Sequence, residues 1–328
     1  MVMLPILLLL LSLMLGRYLL SPGHILACLG NCIGFSNNEI SDIANTVLFN
    51  IRLPRVLGAM AIGAGLAASG AAYQGLFRNP MVSPDLLGAS AGAGFGAAIG
   101  IILSLGMVGI QTLSFLGGLI AVLITWTLGR NFGHGSAPTL VLVLAGMLVS
   151  TVFSSLLSFL KYVADPYSKL PAITFWLMGS LASVDSRDVY LILFPAISLG
   201  LIGLYLIRWQ LNVMSFGEDE ALALGVNTRK IRAIVIIAAT LMTAVSVSIA
   251  GLIGWVGLLI PHLARMLVGP DYRVLLPASA LMGATYLLLV DDLARCMTDA
   301  EIPLGILTSL IGAPFFLLLM LRLKRGWL

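Results

Sequence analysis

Along this chain, apolar residues come in long blocks separated by short stretches that hold most of its charges, prolines and asparagines. A helix needs about 20 apolar residues, at 1.5 Å rise each, to cross the hydrocarbon of a bilayer. Each block therefore predicts a spanning helix. The blocks cover residues 3–20, 53–77, 86–105, 110–128, 138–160, 189–207, 231–249, 255–268, 274–290 and 304–323. The expectation is an all-α membrane protein with ten transmembrane helices, the eighth one short, built as a single polytopic transmembrane domain over 1–328.

Small residues recur inside two of these blocks at helical spacing. Gly88, Gly92, Gly96 and Gly100 follow one another every four residues, with Ala89, Ala93 and Ala97 one step round. Ala59, Gly63, Ala67, Ala71 and Gly75 repeat the pattern in the second block. Such stripes let helix backbones approach closely, which is how helices associate where lipid is as apolar as the side chains. Arg52-Leu53-Pro54-Arg55 opens one long helix ending near Asn79-Pro80, and Arg229-Lys230-Ile231-Arg232 opens another ending near Pro261-His262. By alternation the two start on opposite sides, as in the inverted repeats of transporters.

Composition agrees with lipid as the main solvent. The chain is 59% apolar and only 10% charged, with a mean hydropathy of +1.06, whereas a soluble surface is about a quarter to a third charged. The net charge of +4 forms no basic stripe and excludes a nucleic-acid partner. With the N-terminus in the cytoplasm, eleven of the 18 Lys and Arg fall on the inner side and seven on the outer. The positive-inside bias then puts both termini in the cytoplasm. Arg17, Arg52, Arg55, Lys161, Lys169, Arg187 and Arg295 stay outside and call for another explanation. Residues 4–15 could be the core of a signal peptide, but no Lys or Arg precedes them and the apolar run resumes after Arg17, which fits a retained span better.

Candidate chemistry is sparse. Cys28 and Cys32 lie four apart and could pair or stay free. The histidines His24, His134 and His262 are scattered, so no metal site and no catalytic group is expected. Asp291 and Asp292 close the ninth block, either as a proton relay or as an interfacial pair. The relay would suit an ion-coupled secondary carrier. No Gly-Lys dipeptide occurs, so the chain lacks a phosphate-binding loop. Any ATP is then hydrolysed by a partner.

One polar segment looks made for such a partner. Ser215-Phe216-Gly217-Glu218 has the spacing of a capping box, in which the serine caps a helix and the glutamate reaches back to the serine amide. A short helix would continue through Asp219, Glu220, Ala221, Leu222, Ala223 and Leu224, ending at Gly225, which suits a left-handed residue after a helix. Leu222 and Leu224 would face water unless something docks on them.

This loop, continued by Val226, resembles the coupling helices of the iron-chelate and cobalamin (FecCD-type) permease family of ABC importers. Arg52-Leu53-Pro54-Arg55, Asn79-Pro80-Met81-Val82-Ser83-Pro84-Asp85-Leu86-Leu87-Gly88, residues 256–265, Glu301-Ile302-Pro303-Leu304-Gly305-Ile306 and Gly312-Ala313-Pro314-Phe315-Phe316 resemble the same family, in order. The resemblance implies the type II importer permease fold, a homodimer with its pathway on the two-fold axis, and a prokaryotic inner-membrane location. It also implies two ATP-binding subunits inside, holding Mg-ATP, and a periplasmic binding protein outside; the chain itself carries no cofactor. Arg52, Arg55 and Arg295 match positions that pair with glutamates of the binding protein. Asn79, Pro80, Met81, Pro138 and Thr139 resemble the cytoplasmic gate. The cargo implied is an iron–siderophore, haem or cobalamin, with molybdate or tungstate as the alternative.

Overall fold

The structure, a computed structural model, describes residues 3–16, 21–23, 25, 42–133, 138–298 and 300–323. Arg17, His24, Cys28, Cys32, His134, Lys324 and Arg325 lie outside the described residues. Thirteen helices form among the described ones: α1 (Met3–Met14), α2 (Asp42–Leu76), α3 (Ala89–Ile102), α4 (Met107–Phe132), α5 (Pro138–Val163), α6 (Lys169–Leu177) and α7 (Asp188–Leu206). They continue with α8 (Arg208–Phe216), α9 (Glu218–Ala223), α10 (Thr228–Ala250), α11 (Val256–Val268), α12 (Tyr272–Cys296) and α13 (Leu304–Leu323).

Every apolar block contains a helix, and among the described residues six helices, α2, α4, α5, α7, α10 and α12, are long and apolar enough to cross by themselves. Three of the other blocks hold shorter helices, α1, α3 and α11, of 12, 14 and 13 residues. Block 86–105 loses its start to a 3-10 turn at Pro84–Leu87 and to Gly88, whose φ is +89°. That leaves α3 with 14 residues, about 21 Å. The long helix expected from Arg229 to Pro261 is likewise two helices, broken at 251–255 where Gly251 and Trp255 both take positive φ. The small helices α6, α8 and α9 connect blocks.

Arg52-Leu53-Pro54-Arg55 does not open a helix either, since α2 is already helical from Asp42. A π-turn at Thr46–Arg52 runs directly into it, with the Leu53 amide donating to the Leu48 carbonyl. Asp188–Leu193 at the start of α7 does the same, with Phe194 donating to Val189. Each π-turn stands just before a proline, Pro54 or Pro195. Proline has no amide for the carbonyl four residues back, so both π-turns stand next to a place where the α-helical ladder is already interrupted.

Helix α2 is the axle, with 83% of its spanning window buried. Its small residues lie directly against neighbouring backbone. A Cβ on Gly63 would stand 2.2 Å from the Gly283 carbonyl oxygen of α12, and one on Gly70 1.7 Å from the Gly257 carbonyl oxygen of α11. The α3 stripe packs on α4: a Cβ on Gly92 would meet Gly117 O at 2.3 Å, one on Gly96 Leu113 O at 2.0 Å, and one on Gly100 the Ile110 Cα at 3.0 Å. Gly88 is not part of that face. It is the left-handed entry to α3 and looks toward Ser150 of α5, 3.3 Å from its hypothetical Cβ.

The bundle has two ends. Tyr272, at the start of α12, donates its hydroxyl to the Ala71 carbonyl near the end of α2 (3.1 Å). Residues 77–83, α8, α9 and the start of α10 gather at that end. The ends of α1 and α12 and the start of α2 meet at the other.

Candidate functional site

Helices α8 and α9 form a bracket at the first end. Ser215 is inside α8, not at a cap, and its hydroxyl donates to the Asn212 carbonyl at 2.6 Å. The residue before α9 is Gly217, at φ 151° and ψ 163°, a region essentially reserved for glycine. A Cβ there would sit 1.8 Å from a Glu220 carboxylate oxygen. The expected capping box is therefore absent. Glu218 instead turns toward α10, accepting from Thr228 Oγ1 (3.1 Å) and from Arg232 Nη2 (2.9 and 3.0 Å).

The other end of α9 agrees with the sequence expectation. Gly225 has φ +77°, its amide donates to Leu222 and the Val226 amide to Ala221, both at 2.9 Å. This is the double closure of a Schellman motif. Ala221 is fully buried against the bundle, while Asp219, Glu220, Leu222 and Ala223 are exposed. Leu222 is 56% exposed, Leu224 62% and Phe216 74%, with Asp219 and Glu220 exposed beside them. The result is an apolar ridge with an acidic edge.

A second tie holds α8. Asn212 donates Nδ2 to Asp271 Oδ1 (2.6 Å) and accepts from the Tyr272 amide (2.8 Å). Asp271 caps α12 by accepting from the Arg273 amide at 2.9 Å. That amide and the Asn212 side chain hold the Asp271 carboxyl below the usual carboxylate range. The bracket is thus fastened to the first turns of two long helices, α10 and α12. The sequence pattern does not single out Asn212, Thr228 or Arg232. An Asp before a helical block signals the Asp271 cap, but nothing local points to its partner 59 residues away.

At the opposite end the three arginines expected to stand free toward a binding protein are buried, with Arg52 at 5%, Arg55 at 9% and Arg295 at 8% exposure. Arg55 grips Asp291 with Nε (3.0 Å) and Nη2 (2.9 Å), and Glu301 with Nη1 (2.7 Å). Arg295 pairs with Asp292 and donates to the Ser12 carbonyl (2.7 Å). Arg52 donates to the Leu13 carbonyl (2.7 Å), one of the acceptors that a helix end leaves free. Asp291 and Asp292 are buried too, each in an ion pair, Asp291 with Arg55 and Asp292 with Arg295. These charges join α1, α2 and α12, because a buried charge is tolerated only when paired. Arg55 and Arg295 are each paired with carboxylates of this chain.

Asn79, Pro80 and Met81 form an exposed turn after α2, on the bracket's end of the bundle. Asn79 Oδ1 accepts from the Met81 amide at 2.9 Å. Pro138 and Thr139 open α5, which leans on the neighbouring 3-10 turn, a Cβ on Gly146 lying 2.3 Å from the Leu86 carbonyl oxygen. Near the far end of α10, the Ser180 amide donates to the Ala250 carbonyl (2.8 Å), and the amides of Leu304 and Gly305 donate to Gly179 and Met178 (both 2.9 Å). Irregular backbone in a membrane protein must be satisfied in this way or line a cavity. Here it does both, bordering an open apolar recess lined by Met178, Leu252, Gly254, Gly305 and Ser309.

Comparison with known proteins assigns this architecture. The FecCD transport family matches residues 4–322. The chain is 44% identical over 318 residues to the molybdate import system permease protein MolB of Haemophilus influenzae, covering 96% of this chain and 92% of that protein. It is 41% identical over 282 residues to the cobalamin import system permease protein BtuC of Halobacterium salinarum, 86% of this chain and 75% of that one. An inward-facing metal-chelate type ABC transporter superposes with a TM-score of 0.87 at 41% identity, over 98% of this chain and 97% of that one. With a helical bundle, membrane-length helices and a family match over nearly its whole length, the chain belongs to the FecCD transport family and is the membrane permease subunit of an ABC importer, its ATPase being a separate chain.

Proposed function

We propose that two copies of this permease form one passage, with the α8–α9 bracket in the cytoplasm resting on the ATP-binding subunits and the opposite end receiving ligand from a binding protein. The apolar ridge of α9 carries this reading. Phe216 at the end of α8, and Leu222 and Leu224 at the end of α9, stand more than half exposed, beside the acidic first turn of α9 and over the buried Ala221. Exposed apolar groups of this kind mark a contact surface. Both termini then lie in the cytoplasm. Asn79, Pro80, Met81, Pro138 and Thr139 would close the inner mouth beside the bracket.

The experiment is co-purification with the ATPase subunit encoded for the same importer. Leu222→Glu with Leu224→Glu should abolish its recovery while the permease still inserts and runs as a monodisperse species. Undiminished recovery would remove the docking role.

For cargo we propose a metal chelate of the iron–siderophore, haem or cobalamin type, supported by the similarity to a metal-chelate transporter along almost the entire chain. The 44% identity to a molybdate permease supports a second reading, a molybdate or tungstate oxyanion. Uptake of labelled iron chelate, haem, cobalamin and molybdate by cells with and without the gene separates the two. Loss of molybdate uptake alone would overturn the chelate reading.

A further inference from the structure

We infer that Glu218 is a positioning residue which, through Arg232 and Thr228, clamps the docking helix to α10 and so carries motor movement into the bundle. The inference rests on the docking role proposed for α9.

The mechanical layout supports it. Helix α9 lies between two glycine joints, Gly217 at φ 151° and Gly225 at φ 77°. Such residues are where a chain can absorb rotation, so backbone continuity alone would let α9 pivot without moving α10. The Glu218 side chain bridges the pivot to α10. Glu218, in the first turn of α9, takes both Arg232 contacts and the Thr228 hydroxyl from the first two turns of α10. The pair is mostly shielded, Arg232 being 12% exposed and Glu218 31%. Both bonds to Glu218 come from one guanidinium nitrogen, and a half-buried, charge-assisted contact is held more firmly than an exposed one.

Contacts along α10 define the parts that it would move. Its 23 residues reach about 33 Å, packing beside α2 through Ser69, whose hydroxyl donates to the Ala239 carbonyl (3.4 Å). At its far end Ala250 accepts from Ser180, while a Cβ on Gly251 would lie 2.3 Å from the Trp176 carbonyl oxygen. A tilt of α10 therefore acts directly on the junction where α6 and α13 are hydrogen-bonded together. The acidic groups on α9 divide their work. Glu218 faces inward to the clamp, whereas Asp219 and Glu220 face outward.

The test uses the complete importer, with its ATPase and binding protein, reconstituted in vesicles. Glu218→Ala and Arg232→Ala should each retain the ATPase subunit and hydrolyse ATP, but transport about tenfold less ligand per ATP, in the range of ordinary coupling between sites. The exchanged pair Glu218→Arg with Arg232→Glu should recover much of the ratio, which a merely misfolded variant would not. An unaltered transport-to-hydrolysis ratio in both single variants would overturn the clamp. Loss of the ATPase subunit from Glu218→Ala would also overturn it, by making Glu218 a docking contact. Failure of the docking reading itself is read separately, as undiminished ATPase recovery by the Leu222→Glu, Leu224→Glu variant.

Discussion

Arg55 of α2 and Asp291 of α12, 236 residues apart in sequence, share a forked contact with a carboxylate that has no exposure to solvent. Glu301 completes the grip on the other guanidinium nitrogen. This relationship ties α2 to α12 within the chain, at an arginine that the family resemblance links to a binding protein.

Removing one partner should be far worse than removing both. Asp291→Ala leaves a buried guanidinium with only Glu301 and should cost about 3–5 kcal/mol. Arg55→Met combined with Asp291→Leu should cost clearly less, because a packed apolar pair needs no desolvation and Glu301, 35% exposed, can return to water. Thermal unfolding of the detergent-solubilised permease measures both. Equal losses for the single and double variants would show that the network does not act as an ion pair.

Close approach of α2 and α12 at Gly63 and Gly283 makes a second prediction. Each would place a Cβ 2.2 Å from the other's carbonyl oxygen, so Gly63→Ala must push the helices apart, at about 1–3 kcal/mol for overpacking. Gly106, before α4, has nothing within 4 Å of a Cβ position. Gly106→Ser, which adds a good helix cap, should be neutral or slightly stabilising. The same unfolding measurement compares them, and a silent Gly63→Ala would refute the tight contact.

Asp85, in the turn between α2 and α3, gives stability a pH dependence. Burial pushes its carboxyl above the ordinary value of 3.8, and the hydrogen bond from Ser90 opposes the rise. A raised folded value means stability that is complete below the unfolded pKa and is lost as the pH climbs through the folded one. Ser90→Ala removes the opposing bond and raises the folded value further. The variant's deficit in unfolding temperature relative to the natural chain should therefore widen from about pH 4 to about pH 8. A deficit independent of pH would mean that Ser90 acts only by packing.

Much of the bundle is legible in one sequence where the signal is local. The apolar blocks locate the main helices, since the cost of exposing backbone to lipid leaves little choice but helix. The glycine stripes name the faces that touch, and Gly225 is readable as a left-handed stop because only its own backbone is involved. Spacing alone puts Gly88 in a stripe, because spacing cannot show that φ has turned positive. Ser215 to Glu218 has the letters of a capping box, yet α8 extends through Phe216 and Arg232 draws the glutamate away.

By itself, then, the sequence determined that the chain is a helical membrane protein without its own ATP site, carries a short acidic helix at one loop, and belongs by its motifs with importer permeases. Those properties depend on composition, periodicity and contiguous residues. Only the tertiary structure decided which charges are free. Arg52, Arg55 and Arg295 find their partners on α1, α12 and the loop before α13, and Glu218 finds its partner about one turn into α10. Contacts between distant segments are set by how the helices pack, and packing is a property of the assembled bundle rather than of any stretch of chain.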